Sequence, residues 1–238
     1  MEDSSALSGL GELVKVLWDG ITSGSTEEFY DRFSSAYDSF FSVQMTYAAD
    51  TASILADYLG ERDLPAERVF EAGCGTGVYT TELERICGSL FGLDFSEGQL
   101  SQARTKGLSA ALTRGDVTAL PYSGESFDIV TSLGMLRHLP GEMMEQYFSE
   151  AHRVLRPGGV LFSEPMPSDW HTLSNPPFGR LLKRAYNAFM AWRGLDEHLS
   201  EDRAADIEGA MLAAGFLVER VTARKSHAYD VVVGRKPL

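Results

Sequence analysis

The stretch Val69-Phe70-Glu71-Ala72-Gly73-Cys74-Gly75-Thr76-Gly77-Val78-Tyr79 constrains this chain more than any other. An apolar run suited to a buried strand carries an acid near its end, three glycines alternate, and a helical segment follows. Glycines in such a turn adopt torsions closed to other residues and let the main chain approach a ligand closely, while the helix start offers free N–H groups. The spacing is not that of the dinucleotide fingerprint G-x-G-x-x-G, because the third glycine follows the second by two residues instead of three. A nicotinamide dehydrogenase is disfavoured on that ground.

Along the rest of the chain, helix-like stretches alternate with short β-branched or apolar runs, the pattern of an α/β fold. The strand candidates are Arg68–Ala72, Ser89–Asp94, Ala110–Arg114, Phe127–Ser132, Val160–Ser163, Phe216–Ala223 and Tyr229–Gly234. Most are nearly all apolar, as strands covered on both faces must be. Between them Glu142–Leu155 carries Met143, Met144, Tyr147, Phe148, Ala151, Val154 and Leu155 as a helical stripe, stopped by Arg156-Pro157-Gly158-Gly159. The last two strands are separated only by the short stretch around Lys225-Ser226-His227, too short for a parallel crossover, so an antiparallel hairpin is expected.

Two regions stand apart from this alternation. Residues 1–60 read as a helical cap: Ser25-Thr26-Glu27-Glu28 has the form of a capping box, and Phe29, Phe33, Tyr37 and Phe41 recur every fourth position. In 164–196, Pro165, Pro167, Pro176 and Pro177 preclude regular structure before a helical stripe resumes over Phe178–Trp192, as in an insertion on the substrate side. The expected organisation is one domain over 1–238. Its parts are the 1–60 cap, a cofactor-binding half over 61–163, the 164–196 insertion, and a helix and hairpin over 197–238.

Charge and composition narrow the partners. With 34 acidic against 21 basic residues the formal charge is −13, so a polyanion meets net repulsion and nucleic acid is not an expected partner. The acidic start Met1-Glu2-Asp3-Ser4-Ser5 does not suit a signal peptide, and no apolar run approaches the roughly 20 residues that span a bilayer. The expected location is cytoplasmic, with no integral membrane segment. Cys74 and Cys87 have no His or Cys set at metal-ligand spacing beside them, so neither a metal nor redox chemistry is indicated.

Further strand ends repeat the theme of the glycine turn. Seventeen residues after Gly77 the second strand ends in Gly92-Leu93-Asp94-Phe95-Ser96, a carboxylate where a ribose diol would sit. The third ends in Arg114-Gly115-Asp116-Val117, the fourth carries Phe127-Asp128-Ile129-Val130, and a later turn reads Arg153-Val154-Leu155-Arg156-Pro157-Gly158-Gly159. Densest over 68–163, this ordered set resembles the class I S-adenosylmethionine-dependent methyltransferases, particularly the small-molecule branch that includes the ubiquinone and menaquinone biosynthesis enzymes.

The resemblance implies a Rossmann-like, mostly parallel seven-stranded sheet with an antiparallel last strand and helices on both faces, with S-adenosyl-L-methionine at the carboxyl ends of the first strands. It implies that Glu71, Gly73, Gly75 and Gly77 line the methionine end, with Cys74 among them as a small buried side chain. Asp94 would accept from both ribose hydroxyls, Phe95 would flank the adenine, Asp116 would take a proton from its amino group, and Val117 would pack on the ring. Leu133, just past the fourth strand, would approach through its backbone. In related enzymes an N-terminal Tyr-Asp segment, here Tyr30-Asp31 and Tyr37-Asp38, closes over the cofactor, and Tyr30 and Tyr37 would set aromatic faces near the sulfonium.

Methyl transfer to a small, apolar or aromatic acceptor is the function implied, because Met166, Trp170, Phe178, Phe189 and Trp192 fall in the insertion. Arg180, Lys183 and Arg184 there form a solvated face, or meet an anionic group of the acceptor or a membrane surface carrying a lipid quinone. His138, in Leu136-Arg137-His138-Leu139, and His171, beside Trp170, are the candidate general bases, and each is also readable as a hydrogen-bonded structural histidine. Asn175-Pro176-Pro177-Phe178 copies a tetrapeptide of amino-methyltransferases of DNA and protein but lies after the fifth strand instead of the fourth, so base methylation is not expected. The competing reading keeps the cofactor and drops the transfer, the fold serving as a cyclase or binding module. The expected assembly is a monomer or homodimer.

Overall fold

Central strands that are apolar along their whole length must be covered on both sides, and the structure is arranged accordingly. A computed structural model describes residues 18–19, 22–40, 43–164, 203–224 and 228–238 of the chain. Seven strands, β1 (Arg68–Ala72), β2 (Ser89–Asp94), β3 (Ala111–Arg114), β4 (Phe127–Leu133), β5 (Leu155–Glu164), β6 (Leu217–Arg224) and β7 (Ala228–Arg235), form one sheet in the order β3-β2-β1-β4-β5-β7-β6. The first five pair in parallel, and β7 runs antiparallel to both β5 and β6. The expected reversed last strand and C-terminal hairpin are both present. Its connection at 225–227 lies outside the described residues.

Among the described residues the α-helices are α1 (Thr26–Phe40), α2 (Val43–Glu61), α3 (Val78–Leu83), α4 (Glu97–Thr105), α5 (Gly141–Val154) and α6 (Arg203–Ala213). On one sheet face Phe70, Phe127, Tyr147, Phe148 and Ile207 pack together, which seats α5 and α6. On the other, Leu55, Tyr58, Leu83, Phe162 and Val231 seat α2 and α3. β4 lies at the centre and is buried along all seven residues. The strand order reverses at β1, whose neighbours are β2 and β4, and the crevice outside the carboxyl ends at such a switch point is where wound sheets bind ligands.

Two details depart from the sequence reading. Arg156-Pro157-Gly158-Gly159, expected as a turn, belongs to β5, which begins directly at Leu155. Phe127 pairs with Leu155 and Ile129 with Val160, so the extra residues bulge. They stay in the ladder because Arg156 donates to Asp128 at 2.6 Å, while Gly158 donates to Lys236 and Lys236 to Gly159, each at 2.9 Å. The second departure is Met143, a member of the apolar helical stripe of α5. It is partly exposed on the first turn and lines the cavity described below, because α5 turns Met144, Tyr147, Phe148, Ala151 and Val154 inward.

The capping box is present at the start of α1. The Glu28 amide donates to Ser25 Oγ at 3.1 Å, and the Glu28 carboxylate accepts from the Gly24 amide at 2.6 Å, one residue earlier than in the usual box. Phe29 and Phe33 are fully buried and stack at 5.5 Å between centroids, so half of the aromatic stripe is core. Phe41 lies outside the described residues.

Candidate active site

The glycine turn needs its glycines for backbone reasons. Gly73, Gly75 and Gly77 have φ of 71°, 53° and 79°, the left-handed region that L side chains rarely adopt. Gly73 and Cys74 donate to the Leu93 carbonyl at 2.8 and 3.1 Å, and Gly77 donates back to the Cys74 carbonyl at 2.9 Å, so the turn is stitched to the end of β2. Asp94 completes the stitching: one carboxylate oxygen accepts from the Gly75 amide at 2.8 Å and the other from the Ser96 amide at 3.0 Å. Its burial drives the carboxyl up to about 6, against the pull of those same amides.

Glu71 sits deeper. It is 1% exposed, accepts from Thr80 Oγ1 at 2.6 Å, and burial raises it to about 8, with the charges of Asp94 and Glu84 acting in the same direction. The Cys74 thiol is likewise pushed up, first by burial and then by Glu71 and Asp94, which leaves it an inert small side chain.

A cavity of about 700 Å³ opens over this turn. Of the residues singled out in the sequence, Gly73, Cys74, Gly75, Asp94, Phe95, Asp116, Val117 and Leu133 lie on its wall, together with Tyr30, Tyr37 and His138. Glu71 and Gly77 are not among the wall residues. Asp116 accepts from the Thr118 amide and hydroxyl through one oxygen, both at 2.8 Å. His171, the 164–196 insertion beyond Glu164, its basic triplet and the Asn175-Pro176-Pro177-Phe178 copy lie outside the described residues.

The sequence reading missed several wall residues. Gly134, with φ 73°, and Met135 follow β4, and Gln99 comes from α4. Gly134 could have been found as a glycine ending a strand beside the ligand crevice; Met135 and Gln99 carry no such signal.

The roof is α1, and its seat is made by the chain itself. Asp31 accepts from Ser96 Oγ at 2.6 Å and from the Gly98 amide at 2.8 Å, capping α4 from outside. Asp38 bonds Thr76 and pairs with Lys106 at 2.6 Å, and Glu27 pairs with Arg114. The closest approach is at Gly98, where a Cβ would lie 2.5 Å from the Asp31 carbonyl oxygen and 2.6 Å from its Cα. Gly98→Ala should therefore lift α1. The expected result is at least tenfold faster amide exchange over 26–40 with unchanged protection in β1 and β4, and equal exchange in both proteins would show that the seat does not depend on this contact.

Tyr30 reaches from the roof to the floor. Its hydroxyl lies 3.2 Å from His138 Nε2, and its ring packs edge-on against Phe95, with centroids 5.9 Å apart. The same His138 nitrogen accepts from Arg137 Nε at 2.9 Å. A guanidinium can only donate, so Nε2 is the acceptor nitrogen and the proton of the neutral ring is on Nδ1.

Acids at the strand ends, a close-approach glycine turn and apolar rings on one wall suit a cationic nucleoside. The Methyltransferase domain family model matches residues 70–163. Demethylmenaquinone methyltransferase of Geobacillus stearothermophilus is 32% identical over 171 residues, covering 63% of this chain and 71% of the relative. The chain belongs to the S-adenosylmethionine-dependent methyltransferases, whose cofactor is S-adenosyl-L-methionine. A bifunctional biotin biosynthesis protein of Saccharophagus degradans is 30% identical over 220 residues, 86% of this chain and 35% of that protein. The chain spans roughly a third to a half of the length of several curated relatives it matches. An S-adenosylmethionine-dependent methyltransferase from Clostridium acetobutylicum shares the fold, with a TM-score of 0.62, 15% identity, and coverage of 88% of this chain and 99% of that one.

Proposed function

We propose that this protein transfers the methyl group of S-adenosylmethionine to a small apolar or aromatic metabolite, with 1–238 acting as one catalytic unit. The observation that carries the reading is that one cavity joins the glycine turn and strand-end acids to an apolar sector made by Leu133, Met135, Leu139 and Met143, under a roof bearing Tyr30 and Tyr37. In the bound state Asp94 would hold the ribose, Asp116 the adenine amino group, and Phe95 and Val117 the ring, while the glycine turn passes close to the amino-acid end. The cofactor supplies an already activated methyl, so the chain's task is to orient the acceptor and exclude water.

His138 is placed to assist. With Nε2 as acceptor it can take the Tyr30 hydroxyl proton once the Arg137 N–H swings off that nitrogen, and the phenol oxygen then takes the proton leaving the acceptor. The arrangement exists only while α1 is seated, because Tyr30 belongs to the roof and His138 to the floor.

No described helix is long and apolar enough to cross a membrane, and no three His, Cys, Asp or Glu side chains among the described residues could hold a metal together. The quinone-pathway names of several relatives make demethylated quinols and related phenols the first acceptors to try. The deciding experiment incubates the protein with methyl-labelled cofactor and a panel of phenols, quinols and small apolar acids, and expects label in an extractable product. Cofactor binding with no labelled product across the panel would favour the cyclase or binding-module reading.

A further inference from the structure

Gln99 stands on the first turn of α4 and is 3% exposed. Its main chain belongs to the seat of the roof: the amide donates to Ser96 Oγ at 3.1 Å, and that hydroxyl donates to Asp31 of α1. Its side chain lies between the roof and the glycine turn. Nε2 is 3.5 Å from the Tyr30 carbonyl oxygen, the outer limit of a hydrogen bond, and because a carbonyl can only accept, the amide nitrogen is the atom turned to the roof. Oε1 faces the glycine turn, where a Cβ at Gly75 would stand 3.6 Å from it. The Gly75 amide is bonded in turn to Asp94, so this oxygen and the carboxylate assigned to the ribose share one edge of the turn. Although Gln99 lines the cavity, Oε1 is shut from solvent and has no hydrogen-bond partner among the described residues. A buried oxygen left dry carries the full cost of its lost hydration, and a thioether of similar length would pack in its place without that cost.

We propose that Gln99 is a cofactor-binding residue whose Oε1 accepts from a ribose hydroxyl, and that this bond makes the docking of α1 conditional on the cofactor. The inference rests on the cavity being the S-adenosylmethionine site. Answering the oxygen takes one ribose hydroxyl, shared with Asp94 in a three-centre bond. The last side-chain torsion of glutamine is soft, and a contact of 3.5 Å to Tyr30 restrains it little, so Oε1 can turn from the glycine edge to a donor in the cavity. With the cavity empty, a seated α1 keeps water from Oε1 and leaves it unanswered, whereas a lifted α1 lets water reach it. With the cofactor bound, the ribose answers it and the seated form carries no such cost. Gln99 thereby gives the cofactor a higher affinity for the seated form than for the lifted one, which is the difference a ligand needs in order to shift an equilibrium.

The test is calorimetry and amide exchange on the full chain, with S-adenosylhomocysteine, the demethylated cofactor, as the stable probe. Gln99→Met should bind it about tenfold more weakly than the wild type. In the empty protein, however, exchange over 26–40 should be roughly threefold slower in Gln99→Met, because seating the roof no longer strands an acceptor. The two changes have opposite signs. A side chain that merely props the roof would weaken binding and quicken exchange together, so faster exchange in empty Gln99→Met overturns the proposal, as does unchanged affinity. Should Gln99→Met not fold, the wild type is saturated with the 2′-deoxy and 3′-deoxy forms of the probe instead, and one of them is expected to protect 26–40 roughly threefold less than the full probe does. Equal protection by all three overturns the proposal. A wild type that binds no probe fails the reading of the cavity itself, whereas binding without these effects fails the assignment of Gln99 alone.

Discussion

Gly75→Val is expected to abolish S-adenosylmethionine binding, with calorimetry showing at least a hundredfold loss of affinity, about 2.7 kcal/mol. Two effects act on the same ligand. The φ of 53° at Gly75 is reached by L residues only at a cost of roughly 1–2 kcal/mol, more for a β-branched side chain, so the turn will relax away from it. Relaxation at Gly75 also strains the bond from its amide to Asp94, one of the three that tie the turn to the end of β2. A Cβ at Gly75 meets only Gln99 Oε1, at 3.6 Å, so the folded protein has room for it and the loss should fall on the ligand instead of the core. Unchanged affinity in a folded Gly75→Val protein would remove the turn from the binding site. Gly134 is no neutral control for this experiment, since it too has positive φ and lines the cavity.

Asp94→Ala should weaken the cofactor by at least tenfold while the sheet stays folded. The carboxylate accepts from two amides within the protein and, on the function proposed above, would accept from two ribose hydroxyls, each bond to a charged acceptor contributing roughly 1.5–3 kcal/mol. The pH dependence has a definite sign. Burial raises this carboxyl from its ordinary 3.8 to about 6, so the folded chain holds the proton more tightly than the unfolded one. The stability Asp94 contributes is therefore fully present below about 3.8 and is lost as pH rises through about 6. Ligand binding runs the other way, since the hydroxyls need the charged acceptor. Wild-type affinity should fall by up to tenfold per pH unit below about 6, and Asp94→Ala should lack that limb. Calorimetry between pH 5 and 8 decides it, and parallel profiles for the two proteins would release Asp94 from the ribose.

The parts of this molecule legible in the sequence are those governed by local rules. β1 and β2 were readable to the residue because apolar runs ending in acids or glycines leave few alternatives, and the reversed β7 followed from a connection too short for a crossover. The capping box at Ser25 and Glu28 is equally local. β5 was misjudged at its start because Arg156-Pro157-Gly158-Gly159 has turn chemistry by itself, and only the Asp128 and Lys236 partners, distant in sequence, keep it in the ladder. The candidate site divides the same way. The glycine turn, Asp94 and Asp116 announce themselves at strand ends, whereas Met135 and Gln99 reach the cavity through packing. Arg137 is buried although nothing in its local sequence announces it.

The seat of α1 separates two jobs that a roof helix usually combines. Its attachment rests on main chain at Gly98 and on the carboxylates of Asp31 and Asp38, while the rings that overlook the cavity stand at Tyr30 and Tyr37, two helical turns apart. Substitution at 37 can thus redraw part of the ceiling while the Gly98, Asp31 and Asp38 seat persists, whereas Tyr30 also ties the beam to His138 and Phe95. A lineage of such proteins can vary that wall of the cavity at position 37, each trial made on a helix that is already docked.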